Sequence, residues 1–88
     1  MTVTVIGSHM CPNTLYSLNK LKDAGADIDF QDISGSLSSL KTFLGIRERS
    51  PLFDRVKEAG KIGLPFMILE DGTETLSLDE ALEKCRAS

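Results

Sequence analysis

The chain has 88 residues, 41% hydrophobic and 26% charged, with a formal net charge of −3 and a pI near 5.0. This is the composition of one small globular domain, residues 1–88, and it excludes a disordered tail. The acidic balance argues against a nucleic-acid partner. No apolar run approaches the roughly 20 residues of a membrane span, and Met1–Ile6 is no signal peptide, so the expectation is a cytoplasmic monomer.

Thr2-Val3-Thr4-Val5-Ile6 is dense in β-branched residues and reads as a buried strand. Gly7-Ser8-His9-Met10 loosens the chain. Pro12 suits the first position of a helix, where its missing N–H is not needed. Leu15, Leu18 and Leu21 follow at helical spacing, and Gly25 is a left-handed stop, giving a helix from Pro12 to Ala24. Asp27 to Ile33 alternates polar and apolar, the period of a strand with one face buried. Leu37, Leu40, Phe43 and Leu44 form a second helical stripe, with Ser36 as cap and Gly45 as stop. Ser50-Pro51 opens a third short helix with Leu52, Phe53, Val56 and Ala59 inward and Gly60 at its end.

Phe66-Met67-Ile68-Leu69 reads as a buried strand. Asp71-Gly72 reads as a hairpin turn with φ > 0 at both positions, returning through Thr73 to Leu76. Ser77-Leu78-Asp79-Glu80 has the form of a capping box. Leu78, Ala81, Leu82 and Cys85 then recur at i, i+3, i+4 and i+7. The element order is β-α-β-α-α-β-β-α, an α/β class with a mixed sheet and helices on both faces.

The chemistry concentrates at Cys11, one of two cysteines, between the first strand and the first helix. A thiolate at a helix N-terminus faces unpaired N–H groups and the positive end of the helix dipole. Both stabilise S⁻ over SH, and thiol pKa values at such positions fall to roughly 3.5–7.5. The bland alternative, a small apolar residue in a turn, fits poorly with the neighbours Ser8, His9, Pro12 and Asn13. Thr14, one helical turn later, either donates to the thiolate or satisfies a nearby backbone group. It supplies no second thiol, so a mixed disulfide at Cys11 needs an external thiol for release. Cys85 falls on an apolar stripe and reads as packing.

The run Gly7-Ser8-His9-Met10-Cys11-Pro12-Asn13-Thr14 and the later Gly63-Leu64-Pro65 before a strand resemble the glutaredoxin branch of the thioredoxin fold. The resemblance covers nearly the whole chain in element order. It implies a thioredoxin-like, glutaredoxin-type three-layer α/β/α domain with a four-stranded mixed sheet. It implies that Cys11 is the nucleophile of a Cys-Pro-x-Cys motif whose second cysteine is here Thr14. It implies a cis proline at Pro65 facing the nucleophile, with the Leu64 backbone holding the cysteinyl part of glutathione. Ser8 stands where the family usually has lysine. Leu76-Ser77-Leu78-Asp79 replaces Gly-Gly-x-Asp, leaving Asp79 as the one match. The Cys-Gly-Phe-Ser signature of cluster-carrying single-thiol members is absent.

Pro65 taken alone is a proline at a strand start, where the first N–H can be spared. His9 is either an idle loop histidine, a cation near the thiolate, or with Met10 and Cys11 part of a soft-metal site; three adjacent residues seldom complete such a site. Arg47, Arg49, Arg55, Lys57 and Lys61 form either a solvated face or a steering field for an anionic thiol. The expectation is a thiol–disulfide oxidoreductase using Cys11, supported by Pro12, Thr14 and Pro65. Leu64 and Asp79 are its substrate-binding residues, glutathione is a co-substrate, and no metal is expected. Its partners would be glutathione or protein mixed disulfides. The competing expectation is a redox-inert or redox-sensing interaction module on the same fold.

Overall fold

β1 (Thr2–Gly7) forms at the β-branched run and divides the interior, because Val3 and Val5 point to one face of the sheet and Ile6 to the other. The computed structural model describes residues 1–87. α1 (Pro12–Asp23) carries the chain over to β2 (Asp27–Asp32), which pairs parallel to β1 from Thr2↔Asp27 to Gly7↔Asp32. α1 ends as expected. Gly25 sits at φ 87° and donates to the Lys22 carbonyl, while Ala26 donates to that of Leu21, the paired bonds of a Schellman stop.

α2 (Leu37–Arg49) begins at Ser36, whose hydroxyl accepts from the Ser39 N–H at 3.2 Å. It runs through Gly45, which is no stop. A helical glycine costs only about 1 kcal/mol against alanine, and the packing of Phe43 and Ile46 carries the helix onward. The end comes at Ser50, held extended at ψ 128° because the residue before Pro51 is barred from helical geometry. A 3-10 turn (Pro51–Phe53) leads into α3 (Asp54–Glu58). The expected inward set narrows here. Phe53 is buried and Val56 half-buried, but Leu52 and Ala59 are exposed, as are Leu15 on α1 and Leu37 and Leu44 on α2.

β3 (Phe66–Leu69) pairs antiparallel with β1, and β4 (Glu74–Thr75) antiparallel with β3. The strand order is β2-β1-β3-β4. The hairpin turn differs from the sequence expectation. Only Gly72 has positive φ, and Leu69 bonds to Thr73 across the three-residue loop Glu70–Gly72, with the Asp71 carboxylate accepting from the Thr73 N–H. α4 (Leu78–Ala87) keeps one half of its capping box: the Glu80 N–H donates to Ser77 Oγ at 3.2 Å. The Ser77 N–H goes instead to Thr75 Oγ1 at 2.9 Å, so Glu80 is not needed for the other half.

Two cores result, one on each face of the sheet. Val3, Val5, Met67 and Leu69 pack against Leu21 of α1 and Ala81, Leu82 and Cys85 of α4. Ile6 and Phe66 pack against Phe43 and Phe53, whose rings meet edge-on at 5.7 Å between centroids. The domain is thus an α/β unit with a four-stranded mixed open sheet. Among the described residues no helix is long and apolar enough to cross a membrane.

Candidate functional site at the start of the first helix

β1 ends at Gly7, and Ser8–Met10 carry the chain to Cys11 at the N-cap of α1, with Pro12 in the first helical position. Cys11 is half-exposed, at φ −101° and ψ 115°. Partial desolvation pushes its pKa up. The Thr14 hydroxyl and the Thr14 and Asn13 N–H groups push it down and together prevail, so the thiol lies below its ordinary value.

Thr14 is fully buried, and its Oγ1 also accepts from the Ser8 N–H at 3.3 Å. The two readings of Thr14 therefore coexist: one hydroxyl serves a backbone donor and the thiolate. Its place depends on Gly7. A Cβ on Gly7 would stand 2.6 Å from both Thr14 Cγ2 and Thr14 Oγ1, closer than side chains pack.

Ser8 and Asp32 hold the loop from outside. Ser8 is buried; its carbonyl accepts from the Cys11 N–H at 3.0 Å, its hydroxyl accepts from the Met10 N–H at 3.1 Å, and that hydroxyl also bonds Ser34 Oγ. Asp32, the last residue of β2, accepts from the N–H groups of His9 and Ser34 at 3.2 and 3.0 Å, and its Oδ2 lies 2.6 Å from His9 Nδ1. Desolvation opposes ionisation of Asp32, but the His9 ring and these N–H groups hold its carboxyl below the ordinary range. His9 is thus a tether to β2. Among the described residues no group of three or more His, Cys, Asp or Glu is placed to hold a metal ion.

Opposite Cys11 lies the segment from Gly60 to Pro65. Together they frame a groove of about 560 Å³ lined mainly by apolar side chains, among them Ile33, Val56, Ile62, Leu64, Pro65 and Leu76. The Leu64–Pro65 peptide bond is cis. Leu64 is half-buried and, among the described residues, its backbone makes no hydrogen bond to another backbone group. Arg47 pins this wall: its guanidinium donates to the carbonyls of Ile62 at 2.9 Å and Lys61 at 2.7 Å. Gly63, at φ 92°, lies so close to Phe53 that a Cβ would stand 2.8 Å from the ring.

A sequence comparison finds a relative of this chain. An uncharacterized protein of Haemophilus influenzae is 36% identical over 70 residues, covering 80% of this chain and 81% of that protein. The chain belongs to that protein's family. No protein-family model matches the chain, and no solved structure matches it.

Of the residues singled out in the sequence, Cys11, Leu64 and Pro65 meet in the groove, with Thr14 buried behind the thiol and Pro12 exposed at the helix start. Asp79 is exposed in the first turn of α4 and does not line the groove. Cys85 is buried in the core on the α1–α4 side, with its Sγ 3.7 Å from Met1 Sδ. Of the five basic residues, Lys61 lines the groove and Arg47 holds its wall. The sequence reading missed Gly7, Asp32, Ser34 and the loop-pinning role of Arg47. A glycine just before the helix-start loop was the one visible signal; the other three reach the loops through partners 14 or more residues away.

Proposed function

We propose that this chain is a thioredoxin-like domain of the glutaredoxin type and a thiol–disulfide oxidoreductase with Cys11 as its single nucleophile. The observation that carries the reading is the setting of Cys11: a half-exposed thiol at a helix N-terminus, held below its ordinary pKa and opening into a groove beside Pro65. The strand order β2-β1-β3-β4, with the cysteine after β1 and the proline before β3, supports the fold assignment.

In this reading the Cys11 thiolate attacks one sulfur of a mixed disulfide. A new S–S bond forms to Cys11, the old one breaks, and the departing thiolate takes a proton from water. Thr14 cannot resolve the adduct, and Cys85 is buried among core side chains. A glutathione thiolate from solution therefore attacks the Cys11 adduct and restores the enzyme. Pro65 and Leu64 shape the acceptor face, and the unbonded Leu64 backbone is open to an extended substrate.

The test is glutathione-dependent reduction of a small mixed disulfide. Turnover above background that vanishes in Cys11→Ser is expected. Background turnover by the native chain, together with a Cys11 pKa at or above about 8.5 from pH-dependent alkylation, would favour a redox-inert interaction module instead.

A further inference from the structure

A second hollow of about 250 Å³ shares Asn13, Leu64, Pro65 and Leu76 with the first and extends to Tyr16 and Leu78. The four shared residues make the two hollows neighbours in one trough, with Cys11 lining the first. The two hollows differ in character. Among the described residues lining either hollow, Lys61 is the one with a charge, and it stands in the first. The second hollow is neutral and bordered by Tyr16 and Leu78. Large apolar side chains are bare at the rims: Met10 is 76% exposed, Ile62 58% and Tyr16 58%. Bare apolar side chains grouped around a reactive group mark a binding surface.

The geometry points to an extended polypeptide segment as the occupant, with its disulfide-bonded cysteine at Cys11, an acidic residue toward Lys61 and an apolar residue toward Tyr16 and Leu78. This rests on the reading of Cys11 as nucleophile and names the substrate of that site. Glutathione fits the trough less well. It carries two carboxylates and an ammonium within three residues, and the trough offers one cation and otherwise neutral, largely apolar walls. A peptide with one acidic and one apolar flank matches both hollows.

The seating decides which sulfur is attacked. With the polypeptide in the trough, Cys11 S⁻ bonds to the polypeptide cysteine, and the smaller thiolate leaves and is protonated by water. A glutathione thiolate then attacks the Cys11 sulfur and expels the polypeptide thiolate, leaving Cys11 joined to glutathione. A second glutathione releases glutathione disulfide and the Cys11 thiolate. In sum, two glutathione molecules are oxidised and one polypeptide disulfide is reduced.

The experiment mixes the full reduced chain with peptides whose single cysteine is disulfide-bonded to glutathione, with acid quenching in the first turnover and mass analysis of the adduct. The panel places an apolar residue before and an acid after the cysteine, the reverse, serine on both sides, and an apolar residue with lysine. One polarised peptide should react at least tenfold faster than the serine peptide and leave an adduct of peptide mass on Cys11. Lys61→Glu should lower its rate at least fivefold without affecting the lysine peptide in the same direction, and Tyr16→Ser and Ile62→Ser should each lower it severalfold. All three side chains are exposed, so unchanged circular dichroism is expected. Equal rates across the panel, or an adduct of glutathione mass, overturn the inference while Cys11 still reacts with 2-hydroxyethyl disulfide. No reaction with 2-hydroxyethyl disulfide either overturns the nucleophile reading itself.

Discussion

Thr14→Val removes one hydroxyl and preserves shape, so it separates the two duties of that side chain. The first duty is structural. Valine leaves the Ser8 N–H without its acceptor, and an unpaired buried donor costs about 1–3 kcal/mol. The bond is long at 3.3 Å, which puts the loss near 1 kcal/mol, or about 4–8 °C in Tm for a domain of this size. The second duty is electrostatic. A hydrogen bond to a charged group contributes about 1.5–3 kcal/mol, and solvent screening at the half-exposed Cys11 reduces that to the lower end or less. Since 1.36 kcal/mol is tenfold, the thiolate fraction at neutral pH should fall severalfold, to about tenfold at most.

The assay is the rate of iodoacetamide alkylation of Cys11 against pH, paired with urea unfolding of the same samples. Because folding lowers the Cys11 pKa, its contribution to stability is complete above the unfolded value of about 8.5 and is lost as pH falls through the folded value. The stability gap between native chain and Thr14→Val should therefore widen as pH rises toward 9. Thr14→Ser keeps the hydroxyl and loses a methyl, about 0.8 kcal/mol, so it should lower stability but leave the titration in place. A valine variant that is folded and titrates with the native chain would refute the reasoning.

Gly7→Ala should reach Cys11 from the other direction: its Cβ collides with Thr14, overpacking costs about 1–3 kcal/mol in urea melts, and alkylation of Cys11 slows as Thr14 is displaced. Cys11→Ser should abolish mixed-disulfide turnover and Cys85→Ser should retain it, measured with glutathione as reductant; the opposite ranking would move the chemistry to the buried thiol. Asp71, held at about 2 by the Thr73 hydroxyl and N–H and by Lys84, contributes stability above pH 4 that is lost as pH falls toward 2. Asp71→Asn should flatten that part of the acid limb in urea midpoints between pH 2 and 5, and parallel acid limbs would count against the assignment.

The strands and the helix starts were legible because each rests on local chemistry. The β-branched run became β1, Pro12 opened α1, Ser36 capped α2, and Gly25 stopped α1. The errors came where tertiary packing overrode a local signal. Gly45 looked like a stop, but buried Phe43 and half-buried Ile46 packing on the same helix outweigh one glycine. Leu15 and Leu44 stood on the helical stripes but are exposed, and the buried face of α1 is Thr14, Ser17 and Leu21. At the site, Cys11 was visible because a cysteine at a helix start has a local physical meaning. Asp32 and Arg47 were not, because an aspartate ending a strand and an arginine on a helix have no such meaning until their partners are known.

Those two residues explain how so small a domain keeps a thiol in place. The groove has two walls, both loops, and loops lack the ladder bonds that stiffen strands and helices. Each wall is instead fastened to a regular element by a charged side chain. Asp32 at the end of β2 holds the His9 wall through two N–H groups and the His9 ring, and Arg47 of α2 holds the Lys61–Ile62 wall through two carbonyls. Between them Thr14 occupies a position on the inward face of α1 where an apolar residue would pack without polar cost. A buried hydroxyl there is worth retaining for what it does to its neighbours: it accepts from Ser8, so its proton remains available to the sulfur. Replacing either tether should therefore leave the core intact and loosen the thiol's surroundings, separating the stability of this chain from the reactivity of Cys11.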